Sequence, residues 1–268
     1  MVFQLQVLSN YGTSTPAVAR TLPQGSDLLG FFNCAEAQKD QCKTVLLDLS
    51  RHLVRCVEVC DRVKAEVEAS AEKIAKEGLS TQSQGRVVNL PSVPDITSQA
   101  EAFLQSAKLA IRETARLTEP FFNEKRDHRY HKFASWAEAK FGNNDLLFQT
   151  SRAWEPWVSE VVAMRNAVDH PNDGPRGKLI VKNFHLDPAS AVPTVLEPVW
   201  NLTGEPEGKI LEQMQNIIEG AIRLGEDVLV ALFHKHRPQF PLVVYEIPEA
   251  ERNPEMPKRL RVGLANEQ

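Results

Sequence analysis

Residues 42–74 read CKTVLLDLSRHLVRCVEVCDRVKAEVEASAEKI, and the spacing of their apolar side chains decides the fold class. Cys42, Leu46, Leu49, Leu53, Cys56, Cys60, Val63 and Val67 follow one another in steps of three and four, and Ile74 continues the row seven residues on. That period places all of them on one face of a long α-helix. Ser26 or Asp27 can cap its start and Gly78 follows its last turn, so a helix is expected over 26–77, with a break near Asn33 to Gln38. A face of this length needs covering, and three further stretches carry matching faces.

Ser98 and Glu101 have the spacing of a capping box, and Phe103, Ala107, Ala110, Leu117 and Phe121 make a stripe that predicts a helix over 95–122. A short helix is expected over 135–141. A further one, over 145–170, carries Leu147, Trp154, Val158, Val161 and Val168, is kinked or split by Pro156, and stops at His170 before Pro171. Pro206 opens the last, over 206–236, where Ile210, Met214, Ile217, Ala221, Leu224, Val228 and Leu232 repeat the three-four step. Glu205, Glu212, Glu219 and Glu226 recur every seven residues on another face and read as a solvated stripe.

Between these helices, 78–94 reads as a linker. Short β-branched runs at 178–186 and 194–202 predict a β-hairpin over 178–202. A β tail is expected over 240–264, and the alternating residues 2–8 (VFQLQVL) could join both in one small sheet. The fold class is therefore mostly α, an antiparallel bundle of long helices with a small β-hairpin or sheet appendage, forming a single domain over 1–268.

Hydrophobic residues make up 42% and charged residues 25% of the chain, which is ordinary globular usage. A net charge of −4 argues against a broad basic face for long nucleic acid, while leaving room for a local phosphate site. No apolar run reaches the roughly 20 residues of a membrane span, and Met1 to Arg20 lack the pattern of a secretion signal. A cytoplasmic protein without membrane partners is expected. Cys34, Cys42, Cys56 and Cys60 read as thiols packed in a core, and His52, Cys56 and Cys60 lack the spacing of a structural zinc site, so neither metal nor cofactor is expected.

The loops and helices contain no GxxxxGK, GxGxxG, HExxH or GxSxG motif. What remains is MRNAVDHPN, 164–172. Arg165 lies four residues after Val161 and three before Val168, on the apolar row, where a guanidinium needs an anionic partner. Arg165, Asn166 and His170 could converge on a phosphate, the arginine as a bidentate anion clamp and the histidine as a proton-transfer group. A bland alternative is that Arg165 snorkels to a helix carbonyl or to Glu160 or Asp169.

Arg165 and His170, separated by four residues of which the first is Asn166, resemble the motif of the HEPN superfamily, helical bundles marked by Arg, four to six residues and His. Arg126 and His131 share the spacing but lack the adjoining Asn and the apolar helix. The resemblance implies an endoribonuclease of a defence or toxin-antitoxin system that cuts RNA without metal at a site composed by two protomers. It implies catalytic roles for Arg165, Asn166 and His170, a homodimer, and an RNA substrate or an antitoxin as partner. Lys125, Arg126, Arg129 and Lys132 would guide the RNA backbone, with Tyr130 or Phe133 as a stacking face. The alternative is a noncatalytic helical protein of interaction or dimerisation.

Overall fold

A computed structural model describes residues 10–82, 87–169, 177–190 and 193–265. The protein is mostly α. In chain order its helices are α1 (Pro16–Ala19), α2 (Leu22–Gly30), α3 (Glu36–Glu77), α4 (Ile96–Arg116), α5 (Glu119–Phe122), α6 (Tyr130–Phe141), α7 (Leu146–Asp169) and α8 (Ile210–His236). The strands are β1 (Ser80–Gln82), β2 (Val87–Asn89), β3 (Leu179–Lys182), β4 (His185–Leu186), β5 (Val195–Leu196), β6 (Val199–Leu202), β7 (Gly208–Lys209), β8 (Leu242–Glu246) and β9 (Leu260–Leu264).

Contacts group the chain into two compact units, Met1–Val54 with Ala107–Ser159 and Ile218–Gln268, and Arg55–Ser106 with Glu160–Ile217. In the first unit, Cys42 of α3 reaches the carbonyl of Leu117 and Gln38 that of Pro120, so the chain directions of α3 and α4 oppose. Helices α7 and α8 also run antiparallel: Asp145 meets Lys235, Trp154 meets Asp227, and Trp157 lies on Gly220. Gly220 makes that last approach possible, since a Cβ there would come within 2.5 Å of the indole. The core of this unit holds Leu46, Leu49, Leu53, Ile111, Leu147, Leu229 and Phe233. The antiparallel ribbon β8–β9 packs on α2 through Leu260.

In the second unit Cys56 of α3 contacts the carbonyl of Phe103 in α4, and Val63 and Val67 face Ile210 and Leu211 of α8. The three-stranded antiparallel sheet β3–β6–β7 pairs Leu179 with Leu202 and Trp200 with Gly208. Trp200, fully buried, packs its ring against Phe103 and donates its indole N–H to Gln213 of α8. Burying so large a ring contributes a few kcal/mol, and the bond to Gln213 relieves the indole N–H of its desolvation cost.

Several boundaries differ from those read in the sequence. The 26–77 stretch does break as expected, though a little earlier than Asn33 to Gln38, between α2 and α3. Ser26 and Asp27 lie inside α2, and the turn at 31–35 buries Phe32 between Phe121 and Phe233 while Asn33 N–H donates to the carbonyl of His236. Gln38 reaches back to the N–H of Ala35 and so caps α3. Gly78, at φ +69°, closes its other end. The 95–122 helix starts at Ile96, leaving Ser98 inside it, and divides into α4 and α5; Pro120 sits in the first turn of α5, where no N–H is needed.

Pro156 leaves α7 a single helix. Helix α6 starts at Tyr130, five residues earlier than expected, and α8 at Ile210 rather than Pro206, because residues 208–209 pair with β6. The 78–94 linker contains the ribbon β1–β2. The ribbon β8–β9 and the sheet of β3 are separate sheets, and residues 2–8, offered as a further strand, lie outside the described residues.

Candidate functional site

Arg165 and Asn166 stand four and three residues before the last residue of α7. Basic side chains near a helix C-terminus face the negative end of its dipole, which suits an arginine there. The residue is half-buried, and its Nη1 is closed off from solvent. From Val161 the helix buries Met164 and Ala167, while Arg165 and Val168 are half-buried and Asn166 is exposed. From Val161 both the 164–167 and the 165–168 rows satisfy helical spacing, and the protein buries the apolar pair more deeply.

Arg165 Nε donates to Gln105 Oε1 of α4 at 2.5 Å. The acceptor is a neutral amide, which orients the guanidinium in its plane. Gln105 is exposed and was not singled out in the sequence, where one glutamine on a polar helix face carries no signal. His170, the third residue of the motif, lies outside the described residues.

Lys125, Arg126, Arg129 and Lys132 are brought together at the start of α6, where with Asp127 and Phe133 they wall a depression of about 150 Å³. They belong to the first unit, Arg165 and Asn166 to the second. Two of the four cations are held by neighbours. Arg126 lies 3.7 Å over the Trp136 ring and donates to Glu124 at 3.1 Å. Arg129 Nε donates to Asp127 Oδ2 at 2.6 Å. Bonds from Lys140, Trp136 and Arg126 hold the Glu124 carboxyl down at about 2, and the bond from Arg129 does the same for Asp127, also about 2. Lys125 and Lys132 are exposed and have no carboxylate partner among the described residues.

The stacking faces expected of Tyr130 and Phe133 do not exist. Both rings are buried, at 1% and 2% exposure, and the Tyr130 hydroxyl shares a 2.6 Å hydrogen bond with Thr114. The helix that starts at Tyr130 turns them into the core.

The largest departure from the sequence reading is Glu226. Its heptad stripe runs from exposed Glu205 and Glu212 through half-buried Glu219 to Glu226, whose side chain is wholly buried. Arg20 donates to it through Nε (2.9 Å) and Nη2 (2.7 Å), Gln24 through Nε2 (2.7 Å), and Arg259 through Nε (2.7 Å). Burial works against the charge of Arg20, but its bonds to Glu226 and Glu219 prevail and its pKa rises. Arg20 and Arg259 also bind Glu219 and Glu246, and Gln24 accepts the backbone N–H groups of Arg259 and Leu260. The cluster thus fastens α1, α2 and β9 to α8, and its donors are saturated by carboxylates, as befits a structural joint.

Burial pushes the thiols of Cys42 up to about 12 and Cys60 to about 11, and that of Cys56 higher still, so all three are unreactive core groups. Among the described residues no three His, Cys, Asp or Glu side chains group as metal ligands, and no helix is long and apolar enough to cross a membrane. No protein-family model, curated protein or solved structure significantly matches the chain.

Proposed function

We propose that the chain is a HEPN-like bundle protein acting in the cytoplasm as a metal-independent endoribonuclease of a defence or toxin system, with Arg165, Asn166 and His170 as its chemistry. The observation that carries the reading is the placement of Arg165 and Asn166 near the end of a long helix, with the guanidinium held through its Nε by Gln105. In this reading Arg165 stabilises the charge that develops on the phosphorane. His170 removes the ribose 2′-hydroxyl proton or protonates the leaving oxygen, and Asn166 orients a phosphate oxygen. A second copy of the chain supplies the facing motif.

The test is cleavage of a mixed RNA pool in EDTA by wild type and by His170→Ala, purified to the same oligomeric state. Cutting by the wild type alone is the expected result. No cutting by either protein sinks the proposal.

A second reading, a noncatalytic interaction protein, is favoured by Phe240 and Leu264, exposed at the same end of the β8–β9 ribbon. It predicts an assembly that Phe240→Ser disrupts and His170→Ala leaves intact.

A further inference from the structure

The depression at the start of α6 is too small for a nucleoside. Its volume of about 150 Å³ is well below the roughly 300–1,000 Å³ of pockets that enclose drug-sized ligands, and its size suits a single phosphate group. Its walls carry Lys125, Arg126, Arg129 and Lys132 against the one carboxylate of Asp127. The first turn of α6, a 12-residue helix, contributes the positive end of its dipole.

The wall is also under-supplied with acceptors. Arg126, whose side chain is only 11% exposed, keeps a buried Nε without a hydrogen-bond partner. Its other nitrogens already serve Glu124 and the carbonyl of Lys125, and its face is pinned on Trp136. Lys125 and Lys132 are the exposed cations of the rim, with no carboxylate to satisfy them among the described residues. Tyr130 and Phe133 are turned inward, so no aromatic face is offered to a base.

We infer that this depression is a phosphodiester-binding site that grips the backbone of a single RNA strand without reading its sequence. The inference names the substrate-holding surface of the proposed nuclease and rests on that reading for the choice of RNA. Lys125 and Lys132 carry the affinity, while Arg126 and Arg129, tied to Glu124 and Asp127, set the shape of the wall.

The experiment measures binding of a 2′-O-methyl RNA oligonucleotide, which cannot be cut at the 2′-hydroxyl, by fluorescence anisotropy across a salt series. Wild type is compared with the double variant Lys125→Ala, Lys132→Ala. Loss of two backbone contacts lowers affinity on the order of tenfold and reduces the slope of log K against log salt by about 1.4. Different base sequences bind the wild type alike.

Equal affinity and slope in the two proteins overturn the inference, as does a wild type that binds no oligonucleotide. Inorganic phosphate is the competing arm: a site that binds it as tightly as the oligonucleotide holds a free anion and not a strand. The two proposals fail separately. Lysine-dependent binding with no cleavage by any variant leaves the backbone site and removes the nuclease, whereas His170-dependent cleavage with lysine-independent binding does the reverse.

Discussion

Arg20 and Arg165 are both arginines beside helices, and the protein uses them in opposite ways. Arg20 is 6% exposed and wrapped by Glu226 and Glu219, its donors consumed within the fold. Arg165 is half-buried near the end of α7, with its Nε on a neutral amide. A buried arginine bound by two carboxylates is architecture, since moving either charge leaves the other stranded in low dielectric. An arginine near a helix end whose Nε is held by an amide is, in the proposed function, the one that meets the substrate. Comparing the two predicts which substitutions damage the fold and which damage only the function.

The largest effect belongs to Glu226. Glu226→Ala leaves Arg20 and Arg259 hydrogen-bonded only to their outer carboxylates, Glu219 and Glu246, and takes the acceptor from Gln24 Nε2; breaking a buried pair from one side costs about 3–5 kcal/mol. The urea midpoint should fall accordingly. Replacing the charges together, Arg20→Met with Glu226→Leu and Arg259→Met, should recover most of that loss, because no buried charge is then left over. A Glu226→Ala protein as stable as wild type would mean that the cluster is incidental to the fold.

Arg165→Ala is the counter-case. It removes the hydrogen bond to Gln105 at a half-buried position, so the unfolding free energy should fall by only about 1 kcal/mol. Cleavage, in the proposed function, falls by about 100-fold or more, the usual loss when a donor to a developing anion is removed. Arg165→Lys keeps the charge but not the planar fork, and should recover only part of the rate. Circular dichroism melts beside the cleavage assay separate the two outcomes, and a large stability loss for Arg165→Ala would place it with Arg20.

The same contrast explains what the sequence could disclose. The α3 row from Cys42 to Val67 and the α8 row from Ile210 to Leu232 are buried at every position named for them, because a helix face long enough to repeat its period several times has only one register. Near Val161 the row is too short to distinguish 164–167, which is buried, from 165–168, which is half-buried. Glu226 was illegible for another reason. Its donors, Arg20 and Arg259, lie 206 and 33 residues away, and helical spacing alone gives a buried glutamate the same place as a solvated one. The β1–β2 ribbon escaped because its short strands, STQ and VVN, carry no alternating apolar face. The four basic residues at 125–132 were legible as a group, but their pairing with Glu124 and Asp127 depends on the turn into α6.

The smallest effect sharpens the comparison at that turn. Glu124 and Asp127 titrate at about 2 in the folded protein, against roughly 4.3 and 3.9 for free side chains. Because the folded values are depressed, the stability these carboxylates contribute is fully present above pH ~4 and is lost as the pH falls through about 2. Both are close to solvent, so the contribution is small and salt-sensitive. Carbon-13 titration of the two carboxyl groups should place both midpoints near 2, with Arg129→Gln returning Asp127 towards 4 and leaving Glu124 unchanged. Midpoints near 4 in the wild type would mean that Arg126 and Arg129 are not held by these carboxylates. All four cations of the depression would then be free to meet a phosphate, and replacing Arg126 or Arg129 would weaken RNA binding as much as replacing Lys125 or Lys132.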